Sequence, residues 1–155
     1  GSGGAPPYDP GDSFVVYGRA PERLTEVARG YSYVFQDYGS ERRNYTMHIV
    51  SMTGLAPNEA YYYAVGGNTS GWSSTFRVRS APDAPSVGAR LPMVYAVFGD
   101  QGDYNGQTLP SIQLAAQRQE LDMVLHVGDM AYNLDDDNGR NGDAWMRDIE
   151  PVAAT

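Results

Sequence analysis

Two apolar runs of the sequence each stop at a Gly-Asp pair: "VYAVFGD" ends at Asp100 and "VLHVGD" ends at Asp129. Asp is a poor strand residue and is costly to bury without a partner, so a carboxylate at two strand ends indicates a chemical role. Carboxylates that lie together repel each other unless a cation neutralises them or one is protonated. The pattern therefore predicts a metal site at Asp100 and Asp129. Tyr132 follows three residues after the second Asp and is close enough to reach the same site.

The segment between the two runs reads as a helix. In "TLPSIQLAAQRQEL", Thr108 is the expected N-cap and a proline lies in the first turn. One apolar stripe has helical spacing and comprises Leu109, Ile112 and Ala116. A strand–helix–strand unit makes its strands parallel, with both carboxyl ends at one edge, and the continuous apolar runs predict strands covered on both faces. A last helix is predicted at roughly 142–150, with Trp145 and Ile149 one turn apart and an end near Pro151.

Residues 14–80 carry only β signals. About five short strands are predicted, in "FVVYG", "EVARGYSYVF", "RRNYTMHIVSM", "AYYYAV" and "STFRVRS", and their spacing by turn residues is typical of an antiparallel sandwich. The stretch "GLAPNEAYYYAV" resembles the sheet-crossing corner of fibronectin type III domains, with Tyr61 as the inward tyrosine whose hydroxyl bonds back to the corner backbone. The alternative is a tyrosine-rich strand of some other sheet.

Turn-rich stretches mark the predicted boundaries. Residues 1–13 are read as a linker or loop and residues 81–92 as an interdomain linker, because both are rich in Gly, Pro and small residues. A sandwich of this kind has about seven strands, so we expect its first strands to be missing before Phe14. The predicted fold class is an all-β, fibronectin type III-like sandwich, incomplete, followed from residue 93 by the start of an α/β domain.

Composition restricts the partners. The 155 residues have a formal net charge of -8, which argues against binding to nucleic acid or to an anionic membrane. No apolar run is long enough to span a membrane, and the chain has no cysteine. Two sequons, at Asn44 and Asn68, permit N-glycosylation in a secretory context, so we expect a secreted or extracellular protein.

The two Gly-Asp segments resemble the first two sequence blocks of the purple acid phosphatases. "GDQG" matches Gly-Asp-x-Gly and "GDMAY" matches Gly-Asp-x-x-Tyr. "LHVGDMAYNLDDDNGRNGDAWMRDIEPVAA" is similar to the animal type 7 (iron/zinc) purple-acid-phosphatase-like proteins almost throughout, and "RRNYTMHIVSMTGLAPNEAYYYAVGG" resembles their N-terminal fibronectin-like domain. The resemblance makes 14–80 that domain and 93–155 the N-terminal part of a catalytic domain of the metallophosphoesterase superfamily.

The resemblance implies a binuclear metal site. Asp100 would bind Fe(III), Asp129 would bridge the iron and a divalent zinc, iron or manganese ion, and Tyr132 would bind the iron as a phenolate and give the purple colour. Oxygen ligands suit a trivalent ion, and a bound metal can deprotonate a phenol. The implied reaction is hydrolysis of phosphate monoesters by metal-bound hydroxide at acidic pH.

The family's remaining blocks, an Asn-His pair and further His ligands, are expected downstream of Thr155. His48 and His126 are the histidines present, and we interpret both as structural. We therefore expect the chain to be a fragment, inactive alone, that exists in a longer chain or beside companion segments or subunits. The alternative is a catalytically silent phosphatase-like structural or interaction module. A phosphodiesterase of the wider superfamily is disfavoured by Tyr132 and by the fibronectin-like domain.

Overall fold

The computed structural model describes residues 13–83, 93–102 and 107–154. It divides into two compact units, one of Gly1–Asp37 with Arg43–Asp83 and one of Tyr38–Arg42 with Ala84–Thr155. Most of the two predicted linkers, 1–12 and 84–92, lies outside the described residues, so their interpretation stays a prediction. Among the described residues, neither helix is both long enough and apolar enough to cross a bilayer.

The first unit is built from seven described strands: β1 (Phe14–Gly18), β2 (Glu26–Arg29), β3 (Tyr31–Gln36), β4 (Asn44–Ile49), β5 (Ala60–Gly67), β6 (Gly71–Trp72) and β7 (Phe76–Arg79). One sheet has the order β2-β1-β5-β6, with β7 also paired to β5, and β3 and β4 form a second sheet. All of these pairings are antiparallel, as the sandwich prediction requires.

The predicted count of about five strands is too low, because the two-residue strand β6 was not predicted and one predicted strand is two. "EVARGYSYVF" is divided at Gly30 into β2, which pairs with β1, and β3, which pairs with β4. The Gly30 amide donates to the Ser13 carbonyl at 2.8 Å, and a Cβ at this position would collide with the Ile49 carbonyl. Glycine thus lets the chain pass from one sheet to the other. The expectation that opening strands are missing before Phe14 concerns residues outside the described part of the chain.

The core of the first unit is centred on the buried residues Val15, Tyr17 and Tyr61. Two of these residues lie two positions apart on β1, so they share one face of the strand. The Tyr17 and Tyr61 rings meet edge to face with their centroids 6.4 Å apart. Partly buried side chains surround them: Ala28, Val50, Met52, Leu55, Tyr63 and Val78.

The corner predicted around Tyr61 is confirmed. Its side chain is buried, and its hydroxyl oxygen accepts a hydrogen bond from the Ala56 backbone N–H at 2.9 Å. Ala56 precedes the proline of the turn, so the tyrosine ties the start of β5 to the segment that leads into it. The Ala56 N–H is partly buried. Without the Tyr61 hydroxyl it would lose contact with water and have no hydrogen-bond acceptor in its place.

Tyr61→Phe tests this corner. We expect the free energy of unfolding of the first unit to fall by about 1–3 kcal/mol, because the ring stays in the core while the Ala56 amide loses its partner. Hydrogen exchange at the β1 and β5 amides measures that change. Tyr62→Phe is the matched control, since the Tyr62 hydroxyl makes no hydrogen bond to any described residue. Equal exchange in the two variants would contradict the claim that the Tyr61 hydroxyl stabilises the first unit.

The second unit contains β8 (Tyr95–Phe98), α1 (Leu109–Gln117), β9 (Met123–His126) and α2 (Asp136–Ala153). The two strands pair in parallel, with Val97 opposite Leu125 and Phe98 opposite His126. The predicted strand–helix–strand unit is therefore present, and its strands end at the same edge. Helix α1 begins at the predicted N-cap, where the Ser111 and Ile112 amides donate to the Thr108 carbonyl at 3.1 Å.

Both helices contribute to the core that lies on one face of these strands. Trp145, Ile149 and Val152 of α2 are buried, and the partly buried side chains packed against them are Phe98, Leu109, Ile112, Val124 and Ala131. The alternate residues of the strands stay exposed, with 59% of Val97 and 44% of Leu125 open to solvent. The prediction of strands covered on both faces is thus wrong for this chain, whose described helices cover a single face.

Helix α2 extends beyond its predicted C-terminal end, and residues with non-helical backbone angles interrupt its first turns. Asp137, Asn138 and Gly139 have φ angles of 51°, 55° and 81°, so the helix is kinked in its first turns. It continues past Pro151, and the Ala154 amide donates to the Glu150 carbonyl at 2.9 Å. Pro151 lacks a backbone donor, so it costs the helix one hydrogen bond. It lies in the last turn of α2, where burial of Val152 stabilises the continued helix.

Candidate metal centre

Backbone hydrogen bonds continue beyond the paired strands and join the two Gly-Asp turns. The Val127 amide donates to the Phe98 carbonyl at 2.9 Å. Next, the Asp100 amide donates to the Gly128 carbonyl and the Gln101 amide donates to the Asp129 carbonyl, both at 3.3 Å. The parallel register therefore carries the two aspartates to neighbouring positions.

The turns use unusual backbone conformations. Asp100 and Asp129 have φ angles of 52° and 47°, in the left-handed region that few non-glycine residues adopt. Gly128 has a φ angle of 128°, where an L side chain would be strained, and a Cβ at Gly99 would lie 3.1 Å from the Gly128 carbonyl oxygen. The glycines thus allow the close approach of the two turns, and the strained aspartates are typical of a functional site.

Tyr132 joins the two carboxylates. Its hydroxyl donates a hydrogen bond to Asp100 Oδ1 and lies 3.4 Å from Asp129 Oδ2. The three side chains that the sequence predicts as metal ligands therefore meet at one point. All three residues are exposed, so an ion in solution has access to them.

The carboxylates keep the phenol protonated. The hydrogen bond to Asp100, with desolvation and the charges of both aspartates, raises the pKa of Tyr132 to about 12. The oxygens that hold this proton in hydrogen bonds are also suitable metal ligands. A cation in this position acts in the opposite direction, because positive charge favours the phenolate.

The donor set consists of oxygen alone. Among the described residues, no three His, Cys, Asp or Glu side chains lie together as a metal-binding group. His48 Nδ1 instead lies 3.0 Å from the hydroxyl of the buried Ser13. The His126 ring packs edge to face against Phe98 and Trp145. The described contacts of both histidines agree with their interpretation as structural residues.

Gln101 was not predicted as a site residue. Only 6% of it is exposed, and both polar atoms of its side-chain amide are buried without a partner among the described residues. In the sequence, Gln101 stands at the variable position of Gly-Asp-x-Gly. Because glutamine is usually an exposed residue, this position gives little indication that the side chain is buried.

Comparison with known proteins identifies relatives of this chain. The family model for the purple acid phosphatase N-terminal domain matches residues 5–80. Acid phosphatase type 7 of Homo sapiens is 42% identical over 147 residues, which are 94% of this chain and 32% of the relative. Acid phosphatase type 7 of Mus musculus is 43% identical over 83% of this chain and 28% of the relative. Purple acid phosphatase 15 of Arabidopsis thaliana is 34% identical over 90% of this chain and 27% of the relative.

The chain therefore spans about a third, or less, of the length of the relatives it matches. The match to the N-terminal domain covers the β sheets of the first unit, and the match to the animal proteins covers most of the chain. With two Gly-Asp turns and a tyrosine brought together as described, the chain belongs to the purple acid phosphatase family.

Proposed function

We propose that this chain is the N-terminal part of a binuclear-metal acid phosphatase that hydrolyses phosphate monoesters. The observation that carries the proposal is the Tyr132 hydroxyl, which bonds to the carboxylates of Asp100 and Asp129 at neighbouring parallel strand ends. The names of the relatives, which are acid and purple acid phosphatases, support the same reaction class.

The donor set fits a hard cation. In the proposed site Asp100 and Tyr132 would hold Fe(III), and Asp129 would be a ligand shared with a divalent zinc, iron or manganese ion. Carboxylate and phenolate oxygens are ligands that such ions accept. When bound, the metal pair supplies the Lewis acidity that phosphate ester hydrolysis needs. The chain's own contribution is to fix three oxygen ligands on two hydrogen-bonded turns.

The proposal also covers the identity of the two units, the location of the protein and the source of the remaining metal ligands. The first unit is a fibronectin type III-like domain, and residues 93–155 begin a metallophosphoesterase domain. Asn44 and Asn68 are exposed, which supports glycosylation of a secreted or extracellular protein. Three oxygen ligands leave most coordination positions to water, so the 155-residue chain alone is proposed to be inactive. Companion segments or subunits supply the other ligands.

Tyr132→Phe tests the ligand set. We expect the whole protein that contains this chain to show a visible charge-transfer band when loaded with Fe(III), and the variant to lose that band while remaining folded. A phenyl ring keeps the shape of the side chain and removes the phenolate oxygen. Absorption spectra before and after iron loading make the measurement.

Tyr95→Phe is the control for that experiment, because the Tyr95 hydroxyl contacts the Met93 sulfur instead of the carboxylates. A band that survives Tyr132→Phe would remove the tyrosine from the ligand set. A wild-type protein that binds no metal would instead support the alternative, a catalytically silent phosphatase-like module.

A further inference from the structure

The side chain of His126 bonds to the turn that carries Asp129. His126 Nδ1 accepts a hydrogen bond from the Gly128 backbone N–H at 3.4 Å. As an acceptor, Nδ1 carries no proton, so the tautomer that makes this bond has its proton on Nε2, which is buried without a partner among the described residues. His126 therefore accepts a hydrogen bond from the turn, and it lies two residues before Gly128 in the sequence.

Aromatic neighbours fix the orientation of this ring. Phe98 packs against it at 4.9 Å between centroids with an interplanar angle of 72°, and Trp145 at 6.0 Å with an angle of 84°. Trp145 is one of the buried residues of the helix core. Because the tryptophan is held by that core, the core of the second unit sets where His126 Nδ1 lies.

The glycine whose N–H bonds to His126 also bonds to the backbone of Asp100. The Gly128 carbonyl accepts from the Asp100 amide at 3.3 Å, while its N–H donates to His126. Gly128 has a φ angle of 128°, and because glycine adopts many backbone angles readily, its contacts help to fix this one. One glycine residue thus connects the histidine to the backbone of both carboxylate residues.

We propose that His126 is a positioning residue for the metal centre: through Gly128 it fixes the relative placement of Asp100 and Asp129 and so slows metal loss. This inference rests on the proposed metal-dependent function. Partners of direct metal ligands change metal affinity by roughly 10–100-fold when removed. His126 acts through one intervening residue, so we expect an effect of about 10-fold, at the lower end of that range.

Three substitutions distinguish the effect of the hydrogen-bond acceptor from the effect of the volume of the ring. His126→Asn places an oxygen acceptor at the same number of bonds from the backbone as Nδ1. His126→Gln moves the acceptor one bond farther, and His126→Leu keeps apolar bulk without any acceptor. The whole protein that contains this chain is loaded with Fe(III) and Zn²⁺, and the rate of metal loss to excess EDTA is measured with the iron absorption band.

The proposal expects the Asn variant to lose metal at the wild-type rate, and the Gln and Leu variants to lose it about 10-fold faster with a weakened band. Should the Leu variant not fold, the two amide variants decide the result. Equal rates in the Asn and Gln variants overturn the positioning role and leave the proposed function standing. A wild-type protein that holds no metal overturns the proposed function itself.

Discussion

Asp129→Asn is expected to abolish phosphatase activity in the whole protein that contains this chain. The substitution keeps the size of the side chain and removes the charge that the proposed site uses to hold two cations. Loss of a residue that hydrogen-bonds to a metal ligand lowers metal affinity or activity by roughly 10–100-fold. Loss of a direct ligand shared by two metals should therefore lower activity by ~10³-fold or more. Hydrolysis of an activated aryl phosphate, with metal content measured on the same sample, gives the result.

The matched control is Asp148→Asn, the same change at an exposed aspartate of α2. It should keep both wild-type turnover and wild-type metal content, since Asp148 lies on the helix and not in the Gly-Asp turns. An Asp129→Asn protein with wild-type turnover would contradict the assignment of this residue as a shared ligand.

Trp145→Ala is expected to cause the largest loss of stability in the second unit. The side chain is buried with Ile149 and Val152 against the strands. Truncating a buried tryptophan costs about 3–5 kcal/mol, which corresponds to a rise of ~10²-fold or more in amide exchange if the helix opens by local unfolding. Hydrogen exchange of peptides from α2 in the whole protein measures the change.

Met146→Ala is the control for this prediction, because the neighbouring Met146 is 61% exposed. Its removal should change the exchange of α2 little, since surface substitutions usually shift stability by less than ~0.5 kcal/mol. Similar exchange in the two variants would show that the α2 face in contact with the strands is not the one described.

Much of the candidate site follows from local sequence. A Gly-Asp pair after each of two apolar runs, with a helical stripe between them, suffices to predict parallel strands and carboxylates at one edge. The structure brings the Tyr132 hydroxyl within hydrogen-bonding distance of carboxylate oxygens of both Asp100 and Asp129. The corner at Tyr61 was predictable from a resemblance, because "GLAPNEAYYYAV" is similar to the corner of fibronectin type III domains, where a tyrosine hydroxyl bonds to the corner backbone.

Other features depend on contacts that are distant in sequence. At Gly30 the Ile49 carbonyl approaches closely; the glycine in "EVARGYSYVF" signals a bend, but it does not indicate that the two sides belong to different sheets. The strands of the second unit are apolar on both faces, but the sequence does not say which residues cover the second face. The extension of α2 past Pro151 depends on burial of Val152, a tertiary contact that outweighs the local preference to stop.

The most direct test of the central claim is anomalous X-ray scattering from crystals of the whole protein loaded with iron and zinc. The account predicts an iron peak bonded to a carboxylate oxygen of Asp100, a carboxylate oxygen of Asp129 and the phenolate oxygen of Tyr132, with the second metal also bound to Asp129. Metal peaks located elsewhere, with the Tyr132 hydroxyl still hydrogen-bonded to Asp100, would contradict it.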